Sequence, residues 1–124
     1  MKLSKKEFDK AVRKAIARIP EELRQHLDNI LISVRKRPTR EMMEQVDQPP
    51  DGPLLGLFEG FPLGERSVTS PPLFPDTIFL FQEPLEEICE TPEELEEQIE
   101  LTVVHEVAHF FGIEEERLAE LGYE

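Results

Sequence analysis

Apolar side chains recur at helical spacing near the start of the chain. Over residues 4–19 they are separated by three or four positions, with Ser4 as a good N-cap and Glu7 at the capping-box position. Pro20 interrupts this pattern, and the segment that follows it, as far as Leu23, has proline in its first turn. The pattern therefore predicts one amphipathic helix and a second, short helix behind it.

The clearest helical pattern in the chain covers residues 92–111. Thr91 is the predicted N-cap, Pro92 fills the first helical position, and a long periodic run of apolar residues follows. Gly112 is predicted to end this helix in a left-handed cap, because glycine adopts positive φ without a steric penalty. Residues 114–121 predict a short final helix.

Three segments between the helices have strand character. Residues 30–34 and 54–58 are short apolar runs, and residues 77–81 are β-branched and aromatic between two prolines. Residues 38–76 contain eight of the eleven prolines and four of the six glycines, yet they are apolar enough that we expect an ordered, functional loop region. The order of elements predicts an α+β fold, with a short sheet of about three strands packed by helices, including the helix over 92–111.

Length and pattern together predict a single domain. A chain of 124 residues falls in the usual size range for one domain and is long enough to bury one core. We assign residues 1–124 to this domain. Its N-terminal helices lie in residues 1–26, its strands and Pro/Gly-rich loops in residues 27–91, and its last two helices in residues 92–124.

Charge and composition exclude several classes of protein. The net charge is −13, although residues 1–40 carry twelve basic and only five acidic side chains. An acidic chain is a poor general binder of nucleic acid, so we expect no nucleic-acid partner. No apolar stretch is long enough for a membrane span, and no apolar segment follows the basic N-terminus, so we expect a cytoplasmic protein. A single cysteine, Cys89, excludes a disulfide framework within the chain.

The candidate chemistry lies on the helix predicted over 92–111. His105, Glu106 and His109 form an HExxH motif. At 3.6 residues per turn the two histidines are separated by about 40° around the helix axis and about 6 Å along it, so both imidazoles can reach one metal ion. Glu106 flanks that position, as a general base beside a metal-activated water does. Two histidines with only a structural role are the alternative interpretation of the motif.

The type of site depends on a third metal ligand. Gly112 turns the chain back after the helix, and Glu115 stands where extended HExxHxxGxx[His/Asp] motifs have their third ligand. Carboxylate oxygen is an accepted zinc ligand. Glu114 and Glu116 are alternatives, and a site with no third protein ligand also remains open.

These residues resemble a known family. The chain is similar to minimal zincins, small bacterial proteins described as possible zinc metallopeptidases, and the similarity covers most of residues 27–123. The resemblance implies a reduced zincin core: a short sheet, a backing helix and the active-site helix. The family favours aspartate where this chain has Glu115. The matching segments are residues 102–118 (TVVHEVAHFFGIEEERL), 120–123, 55–63 and 75–81.

The function implied by the resemblance is zinc-dependent hydrolysis of a peptide or protein substrate. His105, His109 and Glu115 would hold Zn²⁺, and Glu106 would take a proton from water as the water attacks the peptide carbonyl. The strand at 77–82 is expected either to be an edge strand that binds an extended peptide or to be an ordinary central strand. The alternative function is a non-catalytic protein-binding domain that keeps the zincin scaffold, with or without metal. No oligomeric state is predicted.

Other candidate residues carry weaker signals. Tyr123, the only tyrosine, suits oxyanion stabilisation or, more readily, packing near the C-terminus. Glu59 and Arg66 suit either a cleft rim or, preferably, turn and surface positions. His26 is expected at the surface. Cys89 stands among glutamates, which raise the pKa of a thiol and so disfavour a nucleophilic role.

Overall fold

A computed structural model describes residues 1–44, 53–60 and 76–123 of the chain. The predicted helices and strands are all present, with ends shifted by one or two residues, and two short helices were not predicted. In chain order the elements are α1 (Lys5–Ala17), α2 (Glu21–Arg24), a 3-10 helix (Gln25–Leu27), β1 (Ile30–Arg35), α3 (Arg40–Glu44), β2 (Gly56–Glu59), β3 (Asp76–Phe81), α4 (Gln82–Ile88), α5 (Pro92–Phe111) and α6 (Glu115–Glu120).

The sheet places β3 in the middle, in the order β1-β3-β2. β1 runs parallel to β3, with Ile30 opposite Asp76, and β2 runs antiparallel to it, with Gly56 opposite Leu80. Five of the six residues of β3 are buried, as expected for a strand covered on both faces. The interpretation of this strand as a peptide-binding edge is therefore wrong, and the central-strand alternative is correct. Within the described residues, β1 and β2 form the edges.

The core lies between the sheet and a layer in which α1 packs against α5. The predicted capping box starts α1: Ser4 accepts from the Glu7 amide, and the Glu7 carboxylate accepts from the Ser4 amide, each at 3.1 Å. Phe8 and Ala15 on this helix are fully buried. Each fully buried large side chain stabilises the fold by about 1.5–3 kcal/mol, so this packing holds α5 in place. The largest fully buried side chains are Phe8, Leu23, Ile78, Leu80, Phe81, Leu85, Leu95, Ile99, Val103, Val104 and Val107.

The helices α3 and α4 were not predicted. Pro84 bounds the strand at 77–81 as predicted, and it stands in the first turn of α4, where its missing N–H leaves no hydrogen bond unmade. Two hydrogen bonds fix α4 to the start of the chain: the buried Glu86 carboxylate accepts from the Leu3 amide at 2.7 Å, and Gln82 Nε2 donates to the Leu3 carbonyl at 3.0 Å. Over the described ranges, no helix has both the length and the apolar character needed to cross a bilayer.

Candidate metal centre and active site

The helix α5 positions the HExxH motif and has the ends that its sequence predicts. Thr91 caps its N-terminus by accepting from the Glu94 amide at 3.1 Å, and Pro92 is the first helical residue. At the other end Gly112 has φ 66° and ψ 35°, a left-handed cap. The amide of the next residue, Ile113, then donates to the carbonyl of Ala108 at 2.9 Å. The last turn is therefore closed, and the chain turns back immediately after the motif.

The two histidines of the motif lie on the exposed side of α5. Val104 and Val107 face the core, whereas His105 and His109 are exposed. Their helical phase keeps them on one side of the helix, about 40° apart. Neither imidazole takes part in a hydrogen bond with any other part of the chain that the structure describes. Their nitrogens are therefore available to a metal ion, which an imidazole buried in hydrocarbon or already paired would not be.

Glu106 is held differently from the two histidines. Its side chain is partly buried against β2, and its Oε2 accepts from the amide of Phe58 at 3.1 Å. Burial raises the pKa of this carboxyl above its ordinary value of 4.5, and the Phe58 amide and His109 oppose that effect to a smaller extent. A carboxylate with a raised pKa is a stronger proton acceptor, which is the property a general base needs.

The turn at Gly112 brings part of α6 to one of the two histidines, His105. His105 lines one cleft, of about 520 Å³, together with Glu115, Glu116, Leu118, Ala119 and Tyr123. Two of the three candidates for a third ligand therefore share a cleft with His105, whereas Glu114 precedes α6 and does not line it. Among the described residues, no three His, Cys, Asp or Glu side chains are grouped so that they could hold a metal ion. The cleft thus combines one imidazole with carboxylates, but His109 does not line it and the described residues form no complete metal site.

Tyr123 and Cys89 have structural environments. The Tyr123 hydroxyl donates to Glu100 Oε2 at 2.6 Å, and the ring is buried, which agrees with the packing role favoured for it. Cys89 is buried too, and burial, followed by the negative charge of Glu94, raises the pKa of its thiol. The direction agrees with the sequence prediction, although burial is the larger cause. Glu59 is exposed at the end of β2, and Arg66 lies outside the described residues.

The aromatic residues around the end of α5 were missed by the sequence analysis. His26 is not a plain surface residue, because it is half-buried and its ring stacks on Phe111 with a centroid distance of 4.4 Å. Phe58 and Phe110 stack in the same way at 4.0 Å. The pair Phe110-Phe111 directly after the motif is a signal in the sequence, but its partners are far away along the chain. These contacts depend on the tertiary fold.

Comparison with known proteins identifies a family match and a similar solved structure. A family described as zincin-like metallopeptidase matches residues 27–123. A conserved hypothetical protein from Thermus thermophilus is similar in structure, with a TM-score of 0.55 and 18% sequence identity over 94% of this chain and 98% of that one. At this identity the likeness concerns the fold alone. No curated protein matches the chain.

Proposed function

This chain belongs to the zincin-like metallopeptidase family, and from that premise we propose that it is a zinc-dependent peptide hydrolase with Glu106 as its general base. The observation that carries the proposal is the arrangement of the motif on α5. A partly buried carboxylate with a raised pKa flanks two exposed imidazoles that make no hydrogen bond to the described parts of the chain. This combination suits a metal site with a proton acceptor beside it.

The donor set fits zinc in its chemistry. His105 and His109 would supply two imidazole nitrogens, and Glu115, which shares a cleft with His105, would supply a carboxylate oxygen. Glu116 lines the same cleft and is the alternative third ligand. Zinc, when bound, supplies Lewis acidity that polarises the peptide carbonyl and makes a water molecule easier to deprotonate.

Glu106 moves the proton in this proposal. Its carboxylate accepts a proton from the attacking water while the water oxygen forms a bond to the peptide carbonyl carbon. The same carboxyl then gives this proton to the leaving nitrogen as the carbon–nitrogen bond breaks, so no other reactant is consumed. The hydrogen bond from the Phe58 amide fixes Oε2 toward β2, which leaves Oε1 as the oxygen for proton transfer.

The strand β2 is the element we propose for aligning the peptide. It is an edge of the sheet within the described residues, and its Phe58 amide contacts Glu106 directly. An extended peptide laid along an edge strand forms main-chain hydrogen bonds that hold its carbonyl groups in register. From the sequence, one of two expectations for the strand at 77–82 is that it binds the peptide. Because β3 is the central strand, we assign peptide binding to β2 instead.

The test compares two substitutions of glutamate on the same helix. Glu106→Gln should lower the rate of peptide hydrolysis by about 10²–10⁴-fold in zinc-loaded protein, because the amide cannot accept the proton. Glu97→Gln, at an exposed position of α5, is the matched control and should retain the rate. Zinc content is measured on both variants and should be unchanged. Equal rates in Glu106→Gln and wild type would refute the role of Glu106.

The second candidate function is a protein-binding domain that does not hydrolyse its partner. The observation in its favour is that three metal donors are not grouped within the described residues. In this case the zinc-loaded wild type would cleave none of the peptides in a mixed library, and Glu106→Gln would bind a partner as tightly as the wild type.

A further inference from the structure

Four aromatic rings form a continuous row at the C-terminal end of α5. Phe58 stacks on Phe110 at a centroid distance of 4.0 Å and an interplanar angle of 23°. Phe110 meets Phe111 edge-to-face at 5.0 Å and 86°. Phe111 stacks on His26 at 4.4 Å and 29°. We call these four residues the aromatic row.

The aromatic row begins at the proposed catalytic centre. Phe58 donates its backbone amide to the carboxylate of Glu106 and places its ring against Phe110. Phe110 directly follows His109 in the sequence and, by helical phase, lies about 40° beyond Glu106 around the axis. A peptide held with its carbonyl at Glu106 would therefore have a neighbouring side chain within reach of these rings.

The aromatic row leaves much of its central surface open. Phe110 and Phe111 are 37% and 40% exposed, although phenylalanine is usually buried. Stacking already fixes the orientation of both rings, so an incoming aromatic side chain would meet a preformed surface and little ordering entropy would be lost. An offset-stacked or edge-to-face partner fits such a surface better than an aliphatic side chain of the same area.

The charge around the site favours a cationic peptide. The cleft beside His105 is lined by Glu115, the proposed zinc ligand, and by Glu116, whose carboxylate that ligand set leaves free. The only basic side chain in residues 83–124 is Arg117, and it is paired with Glu22 and Glu120. The Glu116 carboxylate forms no ion pair with the described residues. A lysine or arginine of the bound peptide would complement this carboxylate.

We propose that the aromatic row is the specificity-determining subsite of the hydrolase, and that it selects cationic peptides with an aromatic side chain next to the cleaved bond. This inference rests on the proposed function for the position of the cleaved bond. The row supplies the aromatic preference, and the Glu116 carboxylate beside His105 supplies the preference for positive charge.

The test measures peptide binding separately from peptide cleavage. The chain contains no tryptophan, so the fluorescence of a tryptophan in a blocked hexapeptide that also carries lysine reports binding directly. Binding is measured with zinc-loaded Glu106→Gln protein, which should not turn the peptide over. Unlabelled hexapeptides with phenylalanine, leucine or alanine in place of tryptophan, or glutamate in place of lysine, then compete for the site.

The expected result is that the tryptophan and phenylalanine peptides bind about tenfold more tightly than the leucine peptide, and that glutamate in place of lysine weakens binding. Adding Phe110→Ala should remove the aromatic preference. Phe110→Leu, which keeps an apolar side chain and protects the fold, should remove it as well. Leu31→Ala, at an exposed apolar position on β1 at the other edge of the described sheet, is the matched control and should bind like the parent protein.

Equal binding of the tryptophan and leucine peptides, or an aromatic preference that survives both Phe110 substitutions, would overturn the subsite. Cleavage by the wild type is then measured on the same peptides. Cleavage with no dependence on Phe110 overturns the subsite and leaves the hydrolase proposal standing. Selective, Phe110-dependent binding without any cleavage supports the aromatic row as a recognition surface and refutes the hydrolase.

Discussion

Gly56 is the residue through which β2 approaches α5 most closely. A Cβ at this position would lie 2.6 Å from Cγ2 of Thr102 and 3.0 Å from the carbonyl oxygen of Phe79. The first distance is far inside normal contact, and the second involves backbone of the central strand, which cannot easily move. Gly56→Ala should therefore push β2 away from α5 at Thr102, one turn before the motif.

The expected cost of Gly56→Ala is about 1–3 kcal/mol of unfolding free energy, the usual range for an overpacked site. Thr102→Ser is the compensating change, because it removes the Cγ2 methyl while keeping the hydroxyl that donates to Gln98 O at 2.7 Å. The double variant should recover about 1 kcal/mol relative to the sum of the two single effects, as coupled contacts do. The contact with Phe79 remains, so recovery should be incomplete.

Urea unfolding followed by circular dichroism gives the unfolding free energy of the wild type, the two single variants and the double variant. The four values can be compared if the m-value is the same in each protein. In thermal unfolding, Gly56→Ala should lower Tm by roughly 4 °C for each kcal/mol of lost stability in a chain of this size. Additive effects of Gly56→Ala and Thr102→Ser, with no coupling, would show that β2 does not contact α5 at this point and would refute the packing described here.

Further predictions concern α5 and its ends. Metal-free Glu106→Gln should be more stable than wild type at neutral pH and equal to it near pH 4, because the raised pKa of Glu106 costs stability only as pH rises through that pKa. Urea midpoints measured across pH test this, and a stability difference that does not change with pH would contradict it. Ile99→Ala, at a fully buried position, should cost about 2–5 kcal/mol by the same assay, and a value below 1 would contradict its burial. Gly112→Ala should lower the unfolding free energy by about 1–2 kcal/mol through its φ of 66° alone, since nothing lies within 4 Å of the added Cβ. An unchanged stability would exclude the left-handed cap. Tyr123→Phe should lower stability without lowering the rate of hydrolysis, because the hydroxyl is hydrogen-bonded to Glu100. A lower hydrolysis rate with unchanged stability would instead support the oxyanion role of Tyr123.

The sequence predicts the helix of the motif well because several local signals agree there. Thr91, Pro92 and Gly112 act on their own turns, and the periodic run between them spans 20 residues, so the start and end of α5 match the prediction. The capping box of Ser4 is local in the same way. Local agreement of this kind needs no knowledge of distant partners.

The position of β3 in the sheet depended on distant partners and was not predictable. An apolar run such as residues 77–81 is consistent with a central or an edge strand, and it is central because it pairs both with β2 and with β1, which is about 46 residues away. The same limit applies at the candidate site. The contact of Glu106 with Phe58 spans 48 residues, and no pattern along the chain indicates it. The motif itself, by contrast, is local to one helix turn, so the sequence alone indicates it.

The most direct test of the central claim is zinc binding by wild-type protein and by His105→Ala and His109→Ala, measured by calorimetric titration and by metal analysis after dialysis. His26→Ala is the matched control, because His26 is the only other histidine in the chain and stacks on Phe111. We predict about one zinc ion per chain in the wild type and in His26→Ala, and loss of that ion in each motif variant. Zinc binding that persists in both motif variants, or no zinc in the wild type, would contradict the account.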